Sequence, residues 1–69
     1  MAERLANGLR AARTELGLTQ GELAARAGVT RKTVNTVENG VFVPSTILAL
    51  RLARVLARPV ETLFWIEDQ

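Results

Sequence analysis

Sixty-nine residues with no Cys and no His allow one domain near the lower limit of independent stability, with no disulfide, no thiolate metal site and no imidazole base. Apolar residues make up 48% of the chain; they are mostly Ala, Leu and Val, which favours helices, and no run approaches the roughly 18 residues of a membrane span. The net charge of +2 hides a polarity, because nine bases face four acids up to Arg58, and three acids with no base follow from Pro59. A basic body with an acidic tail suits a polyanionic partner, although ordinary surface solvation gives similar imbalances. The N-terminus lacks the continuous apolar segment of a signal peptide, so a cytoplasmic location is the default expectation.

A first helix is predicted to run to Leu16, with Leu5, Leu9, Ala12 and Leu16 on one stripe. Its start is open: either near Ala2, or at Gly8 with Asn7 as cap. Gly17 ends it. Thr19 with Glu22 three residues later is a capping-box pattern, and it opens a second helix over about 20–27 with Leu23, Ala24 and Ala27 on one face. Gly28 breaks that helix and can supply the positive φ of a sharp turn. Val29 is an apolar plug after the turn. Thr30 is a good N-cap for a third helix over about 31–39, whose inward residues are Val34 and Val37, and Asn39-Gly40 closes it.

The loop from Gly40 to Pro44 carries Val41, Phe42 and Val43 where a surface loop is normally polar. Either Phe42 folds back onto the core, or the loop packs on a partner subunit or a nucleic-acid sugar edge. Ser45 caps a fourth helix running to about Ala57. That helix is apolar on more than one face: Leu48, Leu52 and Leu56 form one stripe, and Ile47, Leu50 and Val55 lie off it. Two such faces suggest deep burial or an intermolecular contact. Arg51, Arg54 and Arg58 mark a solvated edge and suit the C-terminal end of the helix. Arg58-Pro59 stops it. A short fifth helix over about 60–64 leads into the apolar cluster Leu63-Phe64-Trp65-Ile66.

The second and third helices, about 20–39, form the most informative stretch. The third has a small apolar anchor and a polar, hydrogen-bonding front of Arg31, Lys32, Asn35 and Thr36. That division suits a helix-turn-helix whose second helix enters the DNA major groove. Here the chain resembles the Cro/CI-type (XRE) helix-turn-helix regulators. The resemblance is carried by Gly17-Leu18-Thr19-Gln20, Glu22-Leu23-Ala24, Ala27-Gly28-Val29-Thr30, Val34, Glu38-Asn39-Gly40 and Pro44-Ser45. It continues through Leu48-Ala49-Leu50, Leu52-Ala53 and Leu56 to Val60-Glu61-Thr62-Leu63-Phe64, about nine tenths of the chain. The ending Leu63-Phe64-Trp65 is similar to the small stand-alone members, and residues 39–56 also resemble the DNA-binding segment of larger regulators.

The residue types divide the site into two sets, since phosphate contacts position a protein and base-edge contacts specify sequence. Arg31, Lys32, Asn35 and Thr36 are the base-reading set: Arg and Lys suit guanine, Asn suits adenine, and Thr offers a hydroxyl or a methyl to thymine. Gln20, at a helix N-terminus, is the leading phosphate contact, and the resemblance implies the same role. Thr30, Thr33, Asn39 and Arg10 complete the phosphate set, with capping or surface charge as the plainer role of each. The resemblance also implies that Arg13 and Glu38 form an internal salt bridge, which would be structural.

The expected fold is therefore all-α, a compact five-helix lambda-repressor-like domain spanning residues 1–69. An end-of-chain strand at Phe64–Glu67 is kept open, pairing across a dimer axis or with the N-terminus. The expected function is sequence-specific binding of double-stranded DNA by a homodimer on a pseudopalindromic operator, with repression as the default output by analogy. Ile47, Leu50, Leu63, Phe64, Trp65 and Ile66 are the expected dimer interface. No catalytic residue, metal site, cofactor, small-molecule ligand or membrane contact is expected. The alternatives are the DNA-binding part of a larger regulator, an antitoxin docking a partner protein, or a helical interaction module with no DNA role.

Overall fold

The structure, a computed structural model, describes residues 2–68. Five helices and a two-stranded sheet follow in the order β1 (Glu3–Asn7), α1 (Leu9–Glu15), α2 (Gln20–Ala27), α3 (Arg31–Glu38), α4 (Thr46–Leu56), α5 (Val60–Leu63) and β2 (Phe64–Asp68). The helical expectation holds, but the all-α label does not cover the two ends of the chain. They pair as antiparallel strands, with Glu3 opposite Asp68 and Asn7 opposite Phe64. The end-of-chain strand thus pairs with the chain's own N-terminal segment, one of the two arrangements kept open above.

That pairing also decides where α1 begins. Leu5 belongs to β1, and α1 starts at Leu9, whose N–H donates to Asn7 Oδ1 at 3.1 Å. The far end of the expected stripe differs as well. Leu16 is 50% exposed, and Leu18 takes its place in the core. Gly17, at φ +69°, turns the chain between them. Arg13 Nη1 then holds the Leu18 carbonyl at 2.8 Å.

The remaining boundaries follow local chemistry. Thr19 and Glu22 form both hydrogen bonds of the capping box, at 3.0 and 2.8 Å. Gly28 occupies the left-handed region at φ +73° and lets α2 and α3 meet at a sharp angle. Thr30 and Ser45 cap α3 and α4 through the N–H groups of Thr33 and Leu48. The core is built from Leu9 and Ala12 of α1, Leu23, Ala24 and Ala27 of α2, Val34 and Val37 of α3, and the Leu48–Leu52–Leu56 stripe of α4.

Leu63, expected at a dimer interface, closes this core at 1% exposure and presents no surface to a second copy. Phe64 is half-buried and packs against the same core. Phe42 does not fold inward: it is 48% exposed, flanked by the exposed Val41 and Val43. Among the described residues, no helix is long and apolar enough to cross a membrane.

Candidate nucleic-acid interface

The amphipathic division of α3 is realised. Val34 and Val37 are buried, Arg31, Lys32 and Asn35 are exposed, and Thr36 lies between. Neither Arg31 nor Lys32 has an ion-pair partner among the described residues. Gln20, the first residue of α2, comes beside them, so that Gln20, Arg31, Lys32 and Asn35 line one shallow concavity. Three of the expected contacts turn partly inward. The Thr36 hydroxyl donates to the Thr33 carbonyl at 2.9 Å, leaving its oxygen lone pairs and methyl available. The Thr30 and Thr33 hydroxyls lie 3.1 Å apart, and Thr30 also accepts from the Thr33 N–H.

Behind α3 stands a polar cluster centred on Glu38. Its side chain has no exposed surface. Arg13 Nε donates to Oε2 at 2.6 Å and Arg13 Nη2 to Oε1 at 3.2 Å, which is the expected internal salt bridge. Sequence reasoning missed two further partners. Arg10 Nε reaches Oε1 at 3.3 Å, and Gln20 Nε2 reaches the same oxygen at 3.0 Å. The signal for Arg10 was its three-residue spacing from Arg13, which puts both on one face of α1.

Burial by itself would raise the Glu38 carboxyl. The hydrogen bonds from Arg13 and Gln20, the Arg13 charge and the hydrogen bond from Arg10 outweigh it and hold the group below its ordinary value. Arg10 also donates to Asn39 Oδ1 at 3.1 Å, and Asn39 Nδ2 donates to the Asn35 carbonyl at 2.9 Å, so Asn39 caps the end of α3. Asn7, which sequence reasoning gave no role at this surface, donates Nδ2 to the Val37 carbonyl at 3.0 Å and ties α3 to the end of β1.

No group of three or more acidic side chains that could hold a metal ion occurs among the described residues. What the surface offers is a row of hydrogen-bonding side chains on α3, backed by the satisfied ionic cluster around Glu38.

A helix-turn-helix family model matches residues 9–63, from the first residue of α1 to the last of α5. The chain belongs to the XRE-type helix-turn-helix family of DNA-binding transcription regulators. An HTH-type transcriptional regulator of Methanothermobacter thermautotrophicus is 51% identical over 61 residues, 87% of this chain and 88% of that protein. The regulator YgzD of Bacillus subtilis is 36% identical over 63 residues, covering 91% and 96%. Among solved structures, the restriction-modification controller protein C.AhdI from Aeromonas hydrophila superposes with a TM-score of 0.77 at 39% identity, covering 81% of this chain and 85% of that one. The family match ends where β2 begins, so both strands lie outside the helix-turn-helix unit proper.

Proposed function

We propose that this protein represses transcription by occupying a pseudopalindromic operator as a homodimer, each protomer laying α3 in the major groove. The observation that carries the reading is the exposed front of α3, with two cations that have no ion-pair partner among the described residues and an amide, on a helix anchored from behind by Val34 and Val37. Unpaired Arg and Lys next to an Asn on one exposed helical face match the donor and acceptor pattern of base edges. Arg31, Lys32, Asn35 and Thr36 are the base-reading residues. Gln20, Thr30, Thr33, Asn39 and Arg10 contact or approach phosphate, with Gln20 at the α2 N-terminus best placed for it. The likeness to a restriction-modification controller protein supports a regulatory role.

One recognition helix makes too few contacts for useful specificity, so two related copies are required, with half-sites about 34 Å apart as in other helix-turn-helix dimers. A second copy has apolar surface to bury: Ile47 at 64% and Leu50 at 52% exposure on α4, next to the exposed loop residues Val41, Phe42 and Val43, with Trp65 and Ile66 at the sheet. Repression follows if the occupied operator overlaps a promoter and excludes RNA polymerase.

The test is selection of preferred sites from random duplex DNA, run beside light scattering of the free chain. A dimer that enriches a pseudopalindrome is the expected result. Arg31→Ala should then weaken binding to the enriched site by about 1–3 kcal/mol while thermal stability stays near wild type. A monomer enriching no site would replace this reading with a module that acts only beside a partner protein, such as an antitoxin.

A further inference from the structure

We propose that Arg26, Arg51 and Arg54 form a second DNA contact: a patch that binds phosphates of the duplex flanking the bases read by α3. This rests on the reading that α3 enters the major groove.

The chain carries nine bases. Arg4, Arg10, Arg13 and Arg58 form ion pairs among the described residues, and Arg31 and Lys32 belong to the front of α3. The three that remain are exposed and come together from two helices. Arg26, in the last turn of α2, and Arg51 and Arg54, on α4, line one shallow concavity whose other residues are small: alanines, Gly28 and Val55. A methyl group built on Gly28 would stand 3.9 Å from Arg51 Nη1, so that guanidinium reaches the turn between α2 and α3. No acid lines the concavity. Glu22 lies one turn before Arg26, but its Oε1 is committed to the Thr19 N–H at 2.8 Å.

The C-terminal ends of α2 and α4 favour cations through their dipoles, which accounts for part of the cluster. Its hydrogen-bonding capacity stays unused. A guanidinium carries five N–H donors, and the guanidinium hydrogen bonds among the described residues belong to Arg4, Arg10, Arg13 and Arg58. Guanidinium forks fit phosphate and carboxylate alike. Two observations favour the phosphates of a duplex. Protein interfaces centre on packed anchors such as Trp and Tyr, and no aromatic side chain lines this patch. A duplex instead offers about one charge per 1.7 Å of its axis, enough to neutralise adjacent cations together. The second observation is position. The concavity reaches Gly28, three residues before Arg31, and a recognition helix meets base edges with its N-terminal residues. Arg26 also stands six residues beyond Gln20 on α2, about 9 Å along its axis. Its phosphates are therefore other than those Gln20 touches, and contacts to them add affinity without sequence preference.

The experiment uses the site obtained by selection, as duplexes that end at the site or carry about 10 further base pairs on each side. Wild type and the double variant Arg51→Gln/Arg54→Gln are titrated on both over a range of salt. The wild type should bind the longer duplex several-fold more tightly, and the double variant should lose that gain. The slope of log affinity against log salt should shrink by about one for each arginine removed per bound protomer. Base preferences within the site should be unchanged. Hydroxyl-radical footprinting should show flanking protection by the wild type that the variant lacks. An equal gain in both proteins would overturn the proposal and leave an acidic protein surface as the partner class for the patch. No gain in the wild type would overturn it as well.

A wild-type protein that enriches no site would overturn the groove reading itself, and the flanking contact with it. Should the double variant fold poorly, wild type on long duplexes whose flanking phosphates are uncharged methylphosphonates reads the same contact. Loss of the gain supports the patch; its retention refutes it.

Discussion

Burial removes water from the Glu38 carboxylate, and the donors of Arg13, Gln20 and Arg10 more than replace it, so the group titrates below its ordinary value of 4.5. A depressed folded value contributes stability that is present above the unfolded pKa and is lost as pH falls through the folded one. We expect the melting temperature to be flat from neutral pH down to about 5 and to fall steeply below that. Glu38→Gln should melt lower at neutral pH and show a shallower acid limb. An unchanged acid limb in that variant would assign the transition to other carboxylates, such as Glu22, which its capping bonds with Thr19 also hold low. The Arg13–Glu38 pair was legible through the family resemblance. Arg10 could have been placed beside that pair from its three-residue spacing to Arg13, but Gln20 could not, because nothing in the spacing of residues 20 and 38 says that their helices meet there.

Helix boundaries were the most legible feature of this chain, because a cap is a bond between residues three apart. Thr19, Thr30 and Ser45 cap as their positions predict, and Gly28 takes the left-handed turn. The C-terminal end of α4 departs from that logic. Arg58-Pro59 was read as the stop, yet Ala57 is the left-handed residue, at φ +55°. It is the one described non-glycine residue with positive φ, a conformation that costs an L-residue about 1–2 kcal/mol. Ala57→Gly should therefore stabilise the protein by about 0.5–1 kcal/mol, after allowing for the greater freedom of glycine in the unfolded chain. Thermal unfolding by circular dichroism reads this as a rise of roughly 2–8 °C for a domain of this size. A fall would mean that the Ala57 methyl contributes more than its backbone costs.

The proposed homodimer would draw on surface that a single chain leaves uncovered. Leu50 is 52% exposed on α4, so Leu50→Glu should leave the folded protomer nearly as stable as wild type while placing two charges against each other in a dimer. Light scattering should then report a monomer, and operator affinity should fall as the two half-sites bind independently. A variant that stays dimeric would move the interface to Trp65 and Ile66. The helices, their caps, the turn at Gly28 and the polar front of α3 could all be read from the chain alone. Each rests on propensity, side-chain period or a bond between near neighbours, and such interactions are written in consecutive residues.

The tertiary structure alone decided that Glu3–Asn7 is a strand and not the start of α1, because its partner β2 lies at the opposite end of the chain. It alone exchanged Leu16 for Leu18 in the core and moved Leu63 from a candidate interface to the interior. It also brought Gln20 and Arg10 to the buried carboxylate that Arg13 pairs. In each case the deciding contact joins residues on different elements, and which elements meet depends on how all the apolar faces are buried together.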